Sequence, residues 1–554
     1  MRKITPSHRI RRAIRNRDSA YHPNHESYKW WLLANIMVGT FMAVLDSTIV
    51  NVGLPKIMAS FGVGIDKIEW VLTAYMLALA VALPTSSWLA DRFGYKRLYF
   101  LGLMLFTFGS FLCGVSGNEN TLIISRVIQG LGAGCLMPLG MAIISREFPP
   151  EQRGIALGFW AIAAAASVSF GPLIGGFLVD NFTWQLIFDV NVPIGILGMA
   201  ATIIIQQEYK NPKIRKFDYV GFFSIIVFLP LVLFALTEGN AATNSSGWHA
   251  PYVLACFAIS AIALAIFLTA EFLVEEPLID LRLLTNHNFA ISNVIMFIFS
   301  VGMFGSTFLL PLYLQNSLGY TAIMAGAVFL PVGIIQGILS PIAGLFGDKA
   351  NPKIPILVGI ILLAMSFLLN SRLSYLTEHH FIMVSLYLRG VAMGLIFTPI
   401  SALALVEIPR EKMAQASGIM NVIRQLGGSF GVALLATLLT TRVNYHTQTF
   451  SAFVDKESPA YKSVSAPISF YFQHEGGSTI TTSNRQSQGL IQSQLAKEGF
   501  IQGVDDDFFL AAIISLLGGV PVFWLHNKKK KRGKPLPDPV LTESTSQPTI
   551  LSES

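Results

Sequence analysis

The chain has 554 residues, of which 53% are hydrophobic and only 13% charged, with 40 Phe and 46 Gly. A soluble domain does not need so much apolar surface, and repeated apolar runs of about 18 residues or more mark membrane-spanning helices, so an all-α polytopic membrane protein is expected. The net charge of +7 would suggest nucleic acid in a soluble chain, but here the basic residues flank the apolar runs, as orientation in a bilayer requires.

In chain order, residues 1–29 form a basic segment carrying Arg2, Lys3, Arg9, Arg11, Arg12, Arg15, Arg17 and Lys29. Apolar runs follow at 30–52, 69–89, 98–117, 121–143, 154–178, 186–206, 218–237, 251–272, 288–312, 323–346, 354–370, 382–405, 416–439 and 508–526, fourteen predicted spans. At a rise of about 1.5 Å per residue each can cross roughly 30 Å of hydrocarbon. The first run is too long for a signal-peptide core and has no small-residue cleavage pattern after it, so it reads as a retained helix.

Arg92, Lys96 and Arg97, then Arg146 and Arg153, then Lys210, Lys213, Arg215 and Lys216 fall in alternate connections, whereas 238–250 and 313–322 contain no Lys or Arg. With Lys528, Lys529, Lys530, Lys531, Arg532 and Lys534 after the last span, both termini are expected to be cytoplasmic. The Ser-, Gln-, Thr- and Gly-rich stretch 440–507 is then an extracytoplasmic loop, with Gln488–Glu498 as a short amphipathic helix, and 527–554 is a polar cytoplasmic tail. Cys113, Cys135 and Cys256 lie in apolar stretches without metal or disulfide spacing and read as packing residues.

Asp46 lies inside the first span, five residues before Asn51. A carboxylate at that depth costs several kcal/mol, on the order of 3 or more, unless it is protonated, paired or hydrated, so it marks a proton or cation site. Desolvation favours the neutral acid and a nearby cation the ionised form, so one such site can exchange protons for substrate. A structural acid gripping a neighbouring helix is the alternative. Arg126 and Gln129 sit one turn apart on the fourth span, where the guanidinium either approaches Asp46 and eases proton release or snorkels to the outer interface.

Asp91, Arg92, Gly94 and Arg97 make a short second connection that reads either as positive anchoring or as a conformational latch. Gly344 to Lys349, containing Asp348, echoes it after the tenth span, as expected of two halves rocking about a central site. Gly171, Pro172, Gly175 and Gly176 form a smooth, bent face on the fifth span, suited to sealing or hinging. Asn191 precedes Pro193 and is placed to satisfy a backbone group that the proline frees, while Asp189 has no obvious partner. Arg389 and Arg424 lie within or near apolar runs, and Trp160 is an example of the aromatic residues expected to line a cavity. No phosphate loop, His-Glu-x-x-His or Cys pair is present, so neither an enzyme nor a cofactor is expected and an ion gradient is the simplest energy source.

Taken together, Asp46 to Pro55, Ser87 to Arg97, Arg126 to Gly134, Ser167 to Gly176 and Trp184 to Gly195 resemble, in order, the motifs of the 14-span drug:proton antiporter family of the major facilitator superfamily, the EmrB/QacA kind. Ser87 stands where the loop signature usually has glycine, and Gln185 where arginine is usual. The resemblance implies two six-helix bundles, 30–206 and 273–526, with two additional helices within 207–272. It implies proton-coupled export of hydrophobic or cationic toxic compounds across a bacterial inner membrane, with an endogenous metabolite, siderophore or organic anion as the alternative cargo. The acid at Asp46 and the Arg126 motif are those the family associates with proton coupling. Gram-negative pumps of this kind work with a periplasmic adaptor, a membrane fusion protein, and an outer-membrane channel, whereas QacA-type relatives work alone.

Overall fold

A computed structural model describes residues 27–526 except 64, 210–217, 240–243, 245, 275–276, 278–279, 350, 453, 455–457 and 477–478. The N-terminal basic residues through Arg17, Lys210 to Lys216 and the C-terminal tail therefore lie outside the described residues. The helices are α1 (Tyr28–Phe61), α2 (Ile65–Phe93), α3 (Tyr95–Gly114), α4 (Glu119–Glu147), α5 (Arg153–Asn181), α6 (Leu186–Asp189), α7 (Asn191–Ile205), α8 (Tyr219–Glu238), α9 (Pro251–Leu273), α10 (His287–Asn316), α11 (Ala322–Ala327), α12 (Leu330–Lys349), α13 (Lys353–Asn370), α14 (His379–Leu405), α15 (Met413–Ala452), α16 (Pro459–His474) and α17 (Ile480–Leu517).

Their ends follow local chemistry. Gly62 takes a left-handed conformation and its N–H closes α1 on the Met58 carbonyl at 2.8 Å. Asn118 and Thr121 make a reciprocal capping box at the start of α4. Pro193 cannot donate to the carbonyl four residues back, and the chain breaks there between α6 and α7.

Among the described residues 13 helices are long and apolar enough to cross a membrane, against the fourteen expected. The remaining expected span is α5, a 29-residue helix of which Arg153–Ser167 qualifies as a shorter apolar helix. Leu197, Ile204, Phe223 and Leu273 are among the large apolar side chains exposed on the outside, as a lipid-facing surface requires.

Helices α1 to α7 pack among themselves, α1 on α5 and α7, α4 on α2 and α3; α10 to α17 do likewise, α15 on α10 and α17, α14 on α12 and α13. The two groups meet where α5 lies along α11 and α12, and where α15 crosses α2 and α4. The α5–α12 seam is backbone-close. A Cβ on Gly158 would come within 2.5 Å of the Pro341 Cα, and one on Gly344 would overlap the Gly154 carbonyl. The α8–α9 pair leans on α2 and α15, with Trp70 stacked on Phe234 at 5.8 Å and Trp248 Nε1 donating to Thr437 Oγ1 at 3.0 Å.

The stretch 440–507 corrects the expectation of a loop holding one short helix. Helices α15 and α17 have 40 and 38 residues, roughly twice the length a ~30 Å hydrocarbon core demands at ~1.5 Å per residue. Both run on well past the length of one span, and α16 packs on α17. A polar seam makes this possible. Ser469 donates to Asn484 Oδ1 at 2.7 Å, Gln473 Nε2 to Ser483 Oγ at 3.0 Å, and Ser487 to the Ser465 carbonyl at 2.9 Å. Serine and threonine are middling helix formers, so tertiary bonding rather than propensity holds these helices. Gly499 and Gly503, one turn apart, bring α17 against Thr447 and Val443 of α15.

Candidate functional site

Asp46 is fully buried, and its carboxylate collects donors from two other helices. Oδ2 accepts from Arg126 Nη1 at 2.5 Å; Oδ1 accepts from Gln129 Nε2 at 2.8 Å and from Asn191 Nδ2 at 3.3 Å. Arg126 is also fully buried, which removes the snorkelling alternative. Its Nη1 also donates to Gln129 Oε1 at 2.6 Å, its Nε to the Val71 carbonyl at 3.1 Å, and its guanidinium lies 4.0 Å over the Tyr75 ring. A paired, hydrogen-bonded charge of this kind is tolerable away from water, whereas either partner alone is not.

The backbone explains how these groups meet. Gly109 lets α3 touch α4 at Gln129: an added Cβ would stand 2.6 Å from the Gln129 nitrogen. That contact brings in Ser110, whose hydroxyl accepts from Gln129 Nε2 at 2.7 Å and from Asn191 Nδ2 at 3.2 Å. Gly109→Ala is expected to push α3 off α4 and lower stability by about 1–3 kcal/mol, read as a drop in thermal midpoint. On the other side, Gly171 and Gly175 seat α5 against Thr48 and Ile49, and Ser167 Oγ donates to the Phe41 carbonyl at 2.9 Å, so α5 grips the turns of α1 flanking Asp46.

Asp46, Arg126 and Gln129 are thus brought together, the pairing that the sequence left open against snorkelling. Asn191 joins them instead of the backbone group freed by Pro193, because the α6–α7 break turns its amide toward Asp46. Ser110 and Tyr75 escape sequence reading: a serine or tyrosine in an apolar helix is ordinary, and only the glycine one residue before Ser110 hints at a close approach. The side chains of Asn51, Pro172 and Asp348 lie outside the described residues. Asp189 is half-buried beside Gly114 and stays out of the Asp46 network. Trp160 is buried, donating to Thr40 Oγ1 at 2.7 Å and stacked 6.3 Å from Phe397 across the two groups of helices, so in this conformation it lines no open cavity.

At the basic face Asp91 is buried while Arg92 and Arg97 are exposed, Arg97 lying 3.4 Å from Glu208. Gly94 has φ of 103°, a conformation that favours glycine, and a Cβ there would overlap the Glu208 carboxylate. Ser87 donates to the Ala414 carbonyl of α15 at 2.9 Å and faces Gly418, so the missing glycine on α2 is replaced by one on the partner helix. Close approach survives the exchange.

The sequence profile of the family described as Major Facilitator Superfamily matches residues 36–432. The uncharacterized MFS-type transporter YhcA of Bacillus subtilis is 30% identical over 508 residues, covering 90% of this chain and 93% of its own. The multidrug export protein EmrB of Haemophilus influenzae is 32% identical over 492 residues, covering 88% of this chain and 94% of its own. Among solved structures, the human organic anion transporter MFSD10 (TETRAN) aligns with a TM-score of 0.56 at 13% identity, over 90% of this chain and 99% of its own, a likeness of fold alone.

Proposed function

The chain belongs to the Major Facilitator Superfamily, and from that premise we propose that it is a proton-coupled antiporter exporting hydrophobic toxic compounds. Membership makes it a multi-pass membrane transporter and not an enzyme; the likeness to multidrug export proteins supports the cargo class. The fold reads as two six-helix halves, α1–α7 and α10–α17, with α8 and α9 as the additional pair, in a bacterial inner membrane with both termini cytoplasmic.

The observation that carries the proposal is the buried Asp46–Arg126 pair. A proton arriving at Asp46 cancels its charge and weakens its hold on Arg126, which is then free to seek other acceptors. Gln129, Asn191 and Ser110 provide the neutral hydrogen bonds that survive the change. The pair therefore offers two states whose charge distributions differ, the element a coupled exchanger needs. Asp91, Arg92, Gly94 and Arg97 at the basic face, with Asp348 as their echo, and Gly171, Pro172, Gly175 and Gly176 on α5 are assigned to the changeover between states. A cationic cargo would have to compete with Arg126 for Asp46, so this pairing favours an apolar passenger that carries no positive charge.

The purified protein in proteoliposomes tests this: a hydrophobic export substrate added to one side is expected to move protons the other way, dependent on the imposed pH gradient. Binding without any proton movement would reject antiport. The helical extension of α15, α16 and α17, with Phe470, Tyr471 and Leu490 exposed, is assigned to contact with a periplasmic adaptor serving an outer-membrane channel. Co-purification of the adaptor with the full chain, and its loss when residues 455–490 are replaced by a short linker, is the expected result.

A further inference from the structure

The arginine of the first half has a counterpart in the second. Arg126 lies on α4, which is seated on α2 by Gly130 and Gly134 against the backbone of Tyr75 and Leu79. Arg389 lies on α14, seated on α12 by Gly390 and Gly394 against the backbone of Val332 and Gln336. Each glycine pair is one turn apart, with Arg126 four residues before its pair and Arg389 directly before its own. Arg389 is only 1% exposed.

What differs is the company. Where α1 offers Asp46 to Arg126, α10 offers Arg389 only the Met303 carbonyl, 3.0 Å from Nη2, and the Thr307 hydroxyl, which also accepts from Nη2. Nε and Nη1 have no acceptor among the described residues. Phe329 and Phe367 stand 5.7 and 5.8 Å from the guanidinium. The runs 288–312, 323–346, 354–370, 382–405 and 416–439 contain no Asp or Glu, yet they hold both Arg389 and Arg424. Arg424 bonds Asn421 at 2.9 Å and reaches Met137 of α4 across the two halves. A permanent charge in an apolar interior is costly unless an anion or strong acceptors compensate it, and the protein supplies no anion here.

The approach to Arg389 also carries an interruption. Helices α11 and α12 are separate at Val328 and Phe329, just before Pro331, and the Phe329 ring covers the guanidinium. The break lies near the outer end of the span Ile323–Phe346, about one and a half turns in from its start. In this conformation the ring closes the place, and displacement of that turn would open it.

We propose that Arg389 is the anion-binding centre of a second substrate site, and that its ligands are lipophilic acids: an apolar body held by Phe329 and Phe367, with one ionised carboxylate, sulfonate or phenolate as the missing counter-charge. The inference names the cargo class of the export reading above and rests on it for its physiological meaning, though the binding site stands on its own geometry. Thr307, on the helix that corresponds to α1, is the position at which an acid would satisfy Arg389 internally.

The test uses the full-length purified protein and two fluorescent probes, anilinonaphthalene sulfonate and its uncharged analogue phenylnaphthylamine, with protein-free micelles as background. Wild-type protein is expected to bind the sulfonate saturably. Arg389→Met and Thr307→Asp, the first removing the cation and the second neutralising it from within, are each expected to weaken sulfonate binding at least tenfold while binding the neutral probe as before. If Arg389→Met does not fold, Thr307→Asp decides, because it retains the arginine and gives it the partner that Arg126 already has. Unchanged sulfonate affinity in the folded variants, or equal loss of both probes, would overturn the proposal; the second result would make Arg389 a structural clamp. Proton movement in the proteoliposome assay is read separately, so Arg389-dependent binding without proton movement rejects antiport and leaves the site standing.

Discussion

Asp46→Asn is expected to abolish substrate-driven proton movement, at least a hundredfold below wild type, while the protein still inserts into the membrane. The amide is nearly the same size as the carboxylate, so the turns of α1 held by Gly171 and Gly175 need not shift. It cannot take up or release a proton. It also leaves Arg126 buried without its counter-charge, and removing one partner of a buried pair costs about 3–5 kcal/mol. The double change Asp46→Asn with Arg126→Gln separates lost coupling from lost stability. It removes both charges together, so its thermal midpoint is expected to recover toward wild type while coupled flux stays absent. Wild-type flux in the single variant would remove Asp46 from the mechanism.

The second large effect concerns the α5–α12 seam. Gly344→Val is expected to cut transport at least tenfold, because its Cβ would overlap the carbonyl of Gly154. Backbone on both sides cannot yield as a flexible side chain does, so the two halves must part at the basic face. Spin labels on the basic-face ends of α5 and α12 should report a wider separation in the variant. Gly117→Ala, where an added Cβ meets nothing within 4 Å, is the matched control and should leave both readouts unchanged. An unaltered distance in Gly344→Val would mean that this seam does not hold the conformation.

The membrane class, the order of the spans and the candidacy of Asp46, Arg126 and Gln129 were legible because charge and amide groups stand out against hydrocarbon. Whether Arg126 snorkelled or paired was not, since both readings put it a few residues inside the same helix; its direction depends on Gly130 and Gly134 turning α4 onto α2. Ser110 and Tyr75 were hidden because their residue types are unremarkable in a span, and their roles arise from close backbone approach at Gly109 for the first and at Gly130 for the second. The helical extension was hidden for a different reason. Its faces are matched by serine, asparagine and glutamine instead of apolar periodicity, so the usual amphipathic signal is missing. The lack of an acid opposite Arg389 can be read from the sequence only once one knows which helices surround it.

Helix α17 is unbroken from Ile480 to Leu517 and is locked to α15 at Gly499 and Gly503. Its Phe508 ring lies 6.3 Å from Phe367, which flanks Arg389. The part outside the bilayer and the part within it are consequently a single stiff lever. Whatever restrains the outer arm also restrains the aromatic wall around the guanidinium, so pulling or pinning the protein from outside would alter its turnover mechanically, without touching the cargo at all.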